Sequence, residues 1–280
     1  MTNWKLAAFA DEASPSIDRQ IDAMKRNGLT GLEMRNVDGE NISDISVPKA
    51  KEVRRKLDDA GIRVWALGSP LGKIDIEKDD FAKEMEKLRH TLELAHVLGT
   101  ENIRMFSFYL PFGCDPSAYR QEVLDRLGKM AEMARGTGVT LCHENEKGIY
   151  GDIPERCAEI HRAIPEIAGV FDPANYIQCG QDTWRCWEVV RSCIKYMHIK
   201  DARADGWVVP AGEGDGQVER LIRAYQAQGG EWLTVEPHLL DFAGLAALER
   251  AGEKSQVGVR VYETADEAFD DACRALKKLL

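Results

Sequence analysis

The chain contains no CxxC pair, no GxGxxG or P-loop spacing, no Ser/Gly-rich linker, no block of like charge and no long apolar run. Each absence excludes something. Without a linker or a charge block there is no place to divide the 280 residues, so one domain spanning 1–280 is expected. The apolar stretch LAAFA near the N-terminus runs straight into Asp11 and Glu12, which neither a secretory segment nor a membrane span would accept. A cytoplasmic protein without a membrane partner is the expectation. Basic residues are in deficit: 37 Lys and Arg against 47 Asp and Glu leave a net charge of −10. With no basic run, nucleic acid is excluded as a partner, because phosphate neutralisation supplies most non-specific affinity. The seven cysteines are an odd number in a chain too large to need disulfide staples. They read as free thiols, with Cys186 and Cys193 sharing the buried face of one helix. HENEK at 143–147 is not HExxH, and His90, His96 and His161 fall in helical segments as ordinary surface or core residues.

What is present is a repeat of apolar strands and amphipathic helices. Strands are expected near positions 4, 30, 62, 101, 138, 167, 195 and 231, making eight βα units. Phe81, Met85, Leu88, Leu92 and Ala95 form one apolar stripe that stops at Gly99, a good left-handed terminator. Ile17, Ile21 and Met24 repeat this ahead of Asn27-Gly28, as do Phe269, Cys273, Leu276 and Leu280 in the last helix. The expected fold is α/β, a single-domain (β/α)8 TIM barrel, for which this length is ordinary.

Four ligand-type side chains close successive apolar runs: Glu144 after VTLCH, Asp172 after AGVF, His198 within KYMHIKD and Glu236 after WLTV. Strand ends converge on one point only when parallel strands lie side by side, and a barrel's chemistry sits at that face. Three carboxylates and an imidazole form a hard set that suits Mn²⁺ first, with Mg²⁺, Co²⁺ or Zn²⁺ as alternatives. Alternation along the strands sends Leu32 and Met34 outward, and Glu33 and Arg35 inward; Arg104 and Phe106 also point inward, and His198 and Lys200 share one side. Glu33, Arg104 and Lys200 are thus further site candidates, or else ion pairs closing the mouth. Lys73 in SPLGK and Arg203 lie where substrate would be held. GEGDG at 212–216 could cradle an anion, though a lid over the barrel is the stronger expectation.

ENE at 144–146, FDPAN at 171–175, HIKDA at 198–202 with VVPAGEGDG at 208–216, and VEPH at 235–238 resemble the sugar phosphate isomerase/epimerase superfamily of xylose-isomerase-like barrels. The resemblance covers nearly the whole chain. It implies one divalent metal on Glu144, Asp172, His198 and Glu236, and catalysis by Glu144 and Glu236 exchanging a proton between opposite faces of a sugar carbon. Asn175 stands where the endonuclease branch has histidine, which argues against a multi-zinc nuclease. Ketose 3-epimerases tend to have histidine at the place of Asn175 and glutamate at that of Tyr150, a departure that argues against free-ketose epimerisation and leaves room for another carbonyl sugar such as an oxidised hexose, a keto-inositol or a glycoside. Asn175 can donate to a substrate hydroxyl.

The chemistry agrees with those roles. A proton beside a carbonyl is too weakly acidic for a carboxylate unless a cation stabilises the charge that develops. Two carboxylates then give epimerisation and one gives isomerisation. The expected activity is a metal-dependent sugar isomerase or epimerase acting on a small-molecule sugar, with self-association into a homo-oligomer left open. Lys73, Asn175, Lys200, Arg203 and His238 are the expected substrate-binding residues, with Lys200 or His238 as the substitute base. The rivals are a lyase on the same site, either a keto-inositol dehydratase or an enzyme eliminating from a 3-oxo-glycoside, and a non-catalytic sugar-binding subunit.

Overall fold

Eight parallel strands close into a barrel in the computed structural model, which describes residues 4–241 and 256–280. They are β1 Lys5–Ala8, β2 Gly31–Met34, β3 Arg63–Leu67, β4 Asn102–Met105, β5 Thr140–Glu144, β6 Ala168–Phe171, β7 Ile194–Ile199 and β8 Trp232–Val235. Consecutive strands pair in parallel, and β8 returns to β1 with Lys5 opposite Trp232 and Ala8 opposite Val235. Every expected strand starts within two residues of its observed position.

The helix between β3 and β4 shows how the sequence builds the outer layer. Asp80 caps it by accepting from the Ala82 N–H, and Phe81–Leu98 then buries Leu88, Leu92 and Ala95 against the barrel, each leucine contributing about 1.5–3 kcal/mol. Gly99 ends it at φ 70°, a conformation costly for any residue with a Cβ. The last helix, Ala265–Leu279, buries Phe269, Cys273 and Leu276, but Leu280 lies beyond its end and is exposed. Cys193 also departs from expectation. The helix carrying Cys186 stops at Val190, and Cys193 sits in a following tight turn, so the two do not share a face.

Inside the barrel, Trp65 and Trp232 stack with ring centroids 4.0 Å apart and form the floor, with Tyr196 edge-on to Trp65. Gly31 is required there, because a Cβ would stand 2.5 Å from the Trp232 ring. The inward residues Glu33, Arg35, Arg104 and Phe106 rise above this floor, as strand alternation requires. Phe9 carries the guanidinium of Arg35 4.6 Å from its ring centre and that of Arg104 at 5.0 Å. The apolar floor thus ends in a layer of fixed positive charge beneath the strand ends.

Candidate metal centre

Glu144 ends β5, Asp172 caps the helix after β6, His198 lies on β7 and Glu236 follows β8. One ligand atom from each lies within 4.8 Å of all the others, and all four residues are buried. His198 Nδ1 is 3.0 Å from Glu144, 3.2 Å from Glu236 and 4.0 Å from Asp172. Donors bound at about 2.0–2.2 Å to one ion stand roughly 3–3.6 Å apart when adjacent and about 4.2 Å apart when opposite, so these separations fit a divalent cation. Nε2 of the same ring faces Glu33 at 3.2 Å, and Glu33 in turn accepts from the Tyr196 hydroxyl at 2.8 Å. A carboxylate on the second nitrogen is the usual way to fix a ligating imidazole.

Charge supports the fit. Around the strand ends, Asp11, Glu12, Glu33, Glu144, Asp172 and Glu236 are six buried carboxylates against three buried cations, Arg35, Arg104 and Lys200; Glu84 and Asp201 are also buried but bind backbone N–H groups outside this cluster. Six minus three leaves an excess of three negative charges before any histidine is protonated, an excess that bound protons or a cation would balance. Lys200 is 2.8 Å from Asp172 and 3.2 Å from Glu236, while Arg104 is 3.2 Å from Glu144. Even so, Glu144 Oε2 and Asp172 Oδ2 are buried and accept no well-aligned hydrogen bond. Burial pushes the Asp172 carboxyl up to about 7 against the pull of Lys200, with Glu236 and Glu144 adding to the rise. Burial would lower His198, but Glu144 and Glu33 reverse this and drive it well above its ordinary value. The carboxylates therefore seek positive charge at Nδ1, where a metal would supply it. Burial would raise Glu236, yet Lys200 and His238 outweigh that and hold it well below the usual range.

The other expected residues separate by position. Asn175 donates its amide to Glu144 at 3.2 Å and to the Asn145 carbonyl at 2.9 Å, so it steadies a ligand. His238 lies 3.0 Å from Glu12 and 3.5 Å from Glu236, held at φ 43°, which is strained for a non-glycine residue. Lys73 stands at the rim, 2.9 Å from Glu146 and over the Phe106 ring. Arg203 is exposed in the turn between Asp201–Ala202 and Val208–Val209; among the described residues its side chain makes no ion pair with the cluster. The GEGDG segment is an anion nest filled by the chain itself: Gly212 and Gly214 donate to Asp201 Oδ2 at 2.9 and 3.1 Å, and Gly216 donates to Oδ1 at 2.9 Å. A lid does not describe it.

Sequence reasoning missed Asp11 and Glu12, which brace Arg35 at 2.9 and 3.0 Å. Their signal was present, since both follow the apolar run of β1 as the ligands follow theirs. Glu146, which anchors Lys73, was also passed over.

The profile of the family described as xylose isomerase-like TIM barrel matches residues 21–279. No curated protein matches the chain. Among solved structures it is similar to the probable 3-DHS dehydratase AsbF involved in petrobactin synthesis from Bacillus anthracis, at 16% identity over 98% of each chain with a TM-score of 0.74. It is also similar to the IOLI protein with a binding zinc atom, at 16% identity over 98% of this chain and 97% of that one, with a TM-score of 0.76. A third is the 3-keto-D-glucoside 4-epimerase YcjR from E. coli in apo form, at 15% identity over 99% and 98%, with a TM-score of 0.70. At these identities the likeness is one of fold.

Proposed function

Since the chain belongs to the xylose isomerase-like TIM barrel family, we propose that it is a divalent-metal-dependent sugar isomerase or epimerase that moves a proton on the carbon beside a carbonyl. One observation carries this reading. Glu144 and Glu236 stand at the two ends of the four-strand arc β5 to β8, with Asp172 and His198 between them, yet both approach the same His198 nitrogen. Two carboxylates that come from strands three apart and converge on one point fit proton transfer between the two faces of a planar carbon.

A divalent cation held by Glu144, Asp172, His198 and Glu236 would polarise the substrate carbonyl and make the neighbouring C–H acidic. Manganese is the metal proposed first, from the oxygen-rich donor set; the zinc of the IOLI structure is the alternative. Arg104 and Asn175 hold Glu144 as a carboxylate, and Lys200 does the same for Glu236, so each can accept a proton. The Lys200 ammonium, braced between Asp172 and Glu236, is a fixed donor for the oxygen that gains negative charge. One observation favours a second reading, β-elimination on the same site. His238, beside Glu236 and oriented by Glu12, is a further buried group able to hand a proton to a departing oxygen.

The test is carried out in D₂O with protein reconstituted with Mn²⁺, Mg²⁺, Co²⁺ or Zn²⁺ and offered ketoses, 3-keto-hexosides and keto-inositols. Metal-dependent entry of deuterium beside the carbonyl, with the carbon skeleton and its substituents retained, supports the isomerase or epimerase. Loss of the β substituent identifies the lyase, and no exchange in any carbonyl sugar overturns both.

A further inference from the structure

A cavity of 420 Å³ lies beside the metal centre on the same face of the barrel, in the range of ligand pockets at about 300–1,000 Å³. Its walls come from the loops that follow three of the ligand-bearing segments: Lys147 after Glu144, Gln178 and Cys179 at the end of the helix capped by Asp172, and Asp205 in the loop after β7, with Asp152 and Gln256 completing it. Glu146 joins the two spaces. Its carboxylate pairs with Lys73 at the barrel rim at 2.9 Å through one oxygen and lies 3.8 Å from the cavity's Lys147 through the other.

The chemistry of the walls specifies what fits. Lys147 donates to the Gln178 carbonyl oxygen at 2.7 Å, and the Gln178 amide donates to the Gly206 carbonyl at 3.1 Å. Gln178 and Gln256, residues with both donor and acceptor groups, line the cavity with Gly148 and Gly206, while Ile153 and Cys179 add apolar lining. Donors and acceptors over an apolar face suit a hydroxyl-rich ring. The lining holds one cation, Lys147, against two carboxylates, Asp152 and Asp205, so the walls do not favour an anion. The same holds at the metal centre, where Lys73 faces Glu146, Lys200 faces Asp172, Arg104 faces Glu144 and Arg35 faces Asp11.

We infer that this cavity is a second sugar subsite and that the substrate is an uncharged, two-ring glycoside, its carbonyl-bearing ring at the metal centre and its second ring between Lys147, Gln178 and Asp205. The identity of the reacting ring rests on the proposed function; the subsite itself does not. The experiment measures binding of one-ring and two-ring ketoses to the Mn²⁺-loaded protein by ligand-observed NMR. D-fructose is compared with lactulose, palatinose and turanose, and with fructose 6-phosphate as the anionic control. At least one two-ring ketose should bind about tenfold or more tightly than fructose, a step of about 1.4 kcal/mol, and the phosphate should bring no gain. Cys179→Trp, which fills the cavity, and Gln178→Ala, which removes its central amide without adding bulk, should each bring the two-ring to one-ring ratio close to one. A wild-type ratio near one for every disaccharide, a ratio unchanged in both variants, or tighter binding of the phosphate overturns the inference. Deuterium exchange in the same samples separates the two ideas: binding preference without exchange removes the proposed reaction and leaves the subsite standing.

Discussion

His198 stands between two acidic neighbourhoods, one on each ring nitrogen, and much of the site follows from that. Nδ1 meets Glu144 and Glu236, and Nε2 meets Glu33. Glu33→Gln should keep the fold and weaken divalent metal binding by about 10–100-fold, the usual effect of removing the group that orients a ligating histidine. Titration of Mn²⁺ into the metal-free variant checks this; wild-type affinity would show that Glu33 does not orient the ligand. Glu144→Gln and Glu236→Gln should each slow solvent exchange into substrate by at least about 10²-fold, the low end for a general base. If one alone does so, transfer is one-sided, and if neither does, Lys200 or His238 is the base. The four cluster residues were legible in the sequence because each is a ligand-type residue that ends an apolar run. Asp11 and Glu12 end one too. As neighbouring acids directly after LAAFA they resemble the polar end of any short apolar run, and nothing linear ties them to Arg35.

Among the elements, β7 and its loop show how a short motif sets the geometry of the mouth. Asp201, one residue beyond Lys200, is gripped by three glycine N–H groups. The nest leaves no room for side chains: a Cβ on Gly214 would lie 2.4 Å from the Ala202 carbonyl oxygen and 2.5 Å from the Asp201 carboxylate. Gly214→Ala should therefore cost about 1–3 kcal/mol in urea unfolding, as overpacking does, and a variant as stable as wild type would remove the nest from the account. The glycine pattern revealed an anion cradle, but sequence could not reveal that its anion is the chain's own Asp201, three residues after His198, rather than a ligand. The last helix docks on the first through Arg26 and Asp270, with Asn27 also donating to Asp270 at 2.6 Å. Burial would raise the Asp270 carboxyl, but its bonds to Arg26 and Asn27 hold it below the ordinary range. An acid lowered in this way stabilises the fold above its unfolded pKa, and that contribution fades as pH falls through the lower folded value. Asp270→Asn should cost about 0.5–1 kcal/mol at neutral pH, since the pair is partly exposed, and its deficit should shrink as pH falls below about 4. A deficit independent of pH would assign it to packing.

On the scale of the whole molecule, the barrel brings residues as far apart in sequence as Glu12 and His238 within 3.0 Å, because β1 pairs with β8. Periodicity exposed the eight strands, since apolar runs of fixed length recur at βα spacing, and strand alternation placed Glu33, Arg104 and Lys200 inside. It could not fix where Cys193 leaves its helix, because a final tight turn and a helix share the same apolar spacing over one turn. No helix among the described residues is long and apolar enough to cross a membrane. The closed barrel concentrates a buried excess of carboxylate above an aromatic floor, and the central claim is that a divalent cation balances it. The most direct measurement is the metal content of protein purified without chelator and dialysed, determined by mass spectrometry for wild type, Asp172→Ala and His198→Ala. The account predicts one divalent ion per wild-type chain and a loss of at least about tenfold in each variant, because each removes one donor from a site with few to spare. A wild-type chain that holds no metal even after incubation with Mn²⁺, Mg²⁺, Co²⁺ and Zn²⁺, or variants that hold as much as wild type, would contradict it.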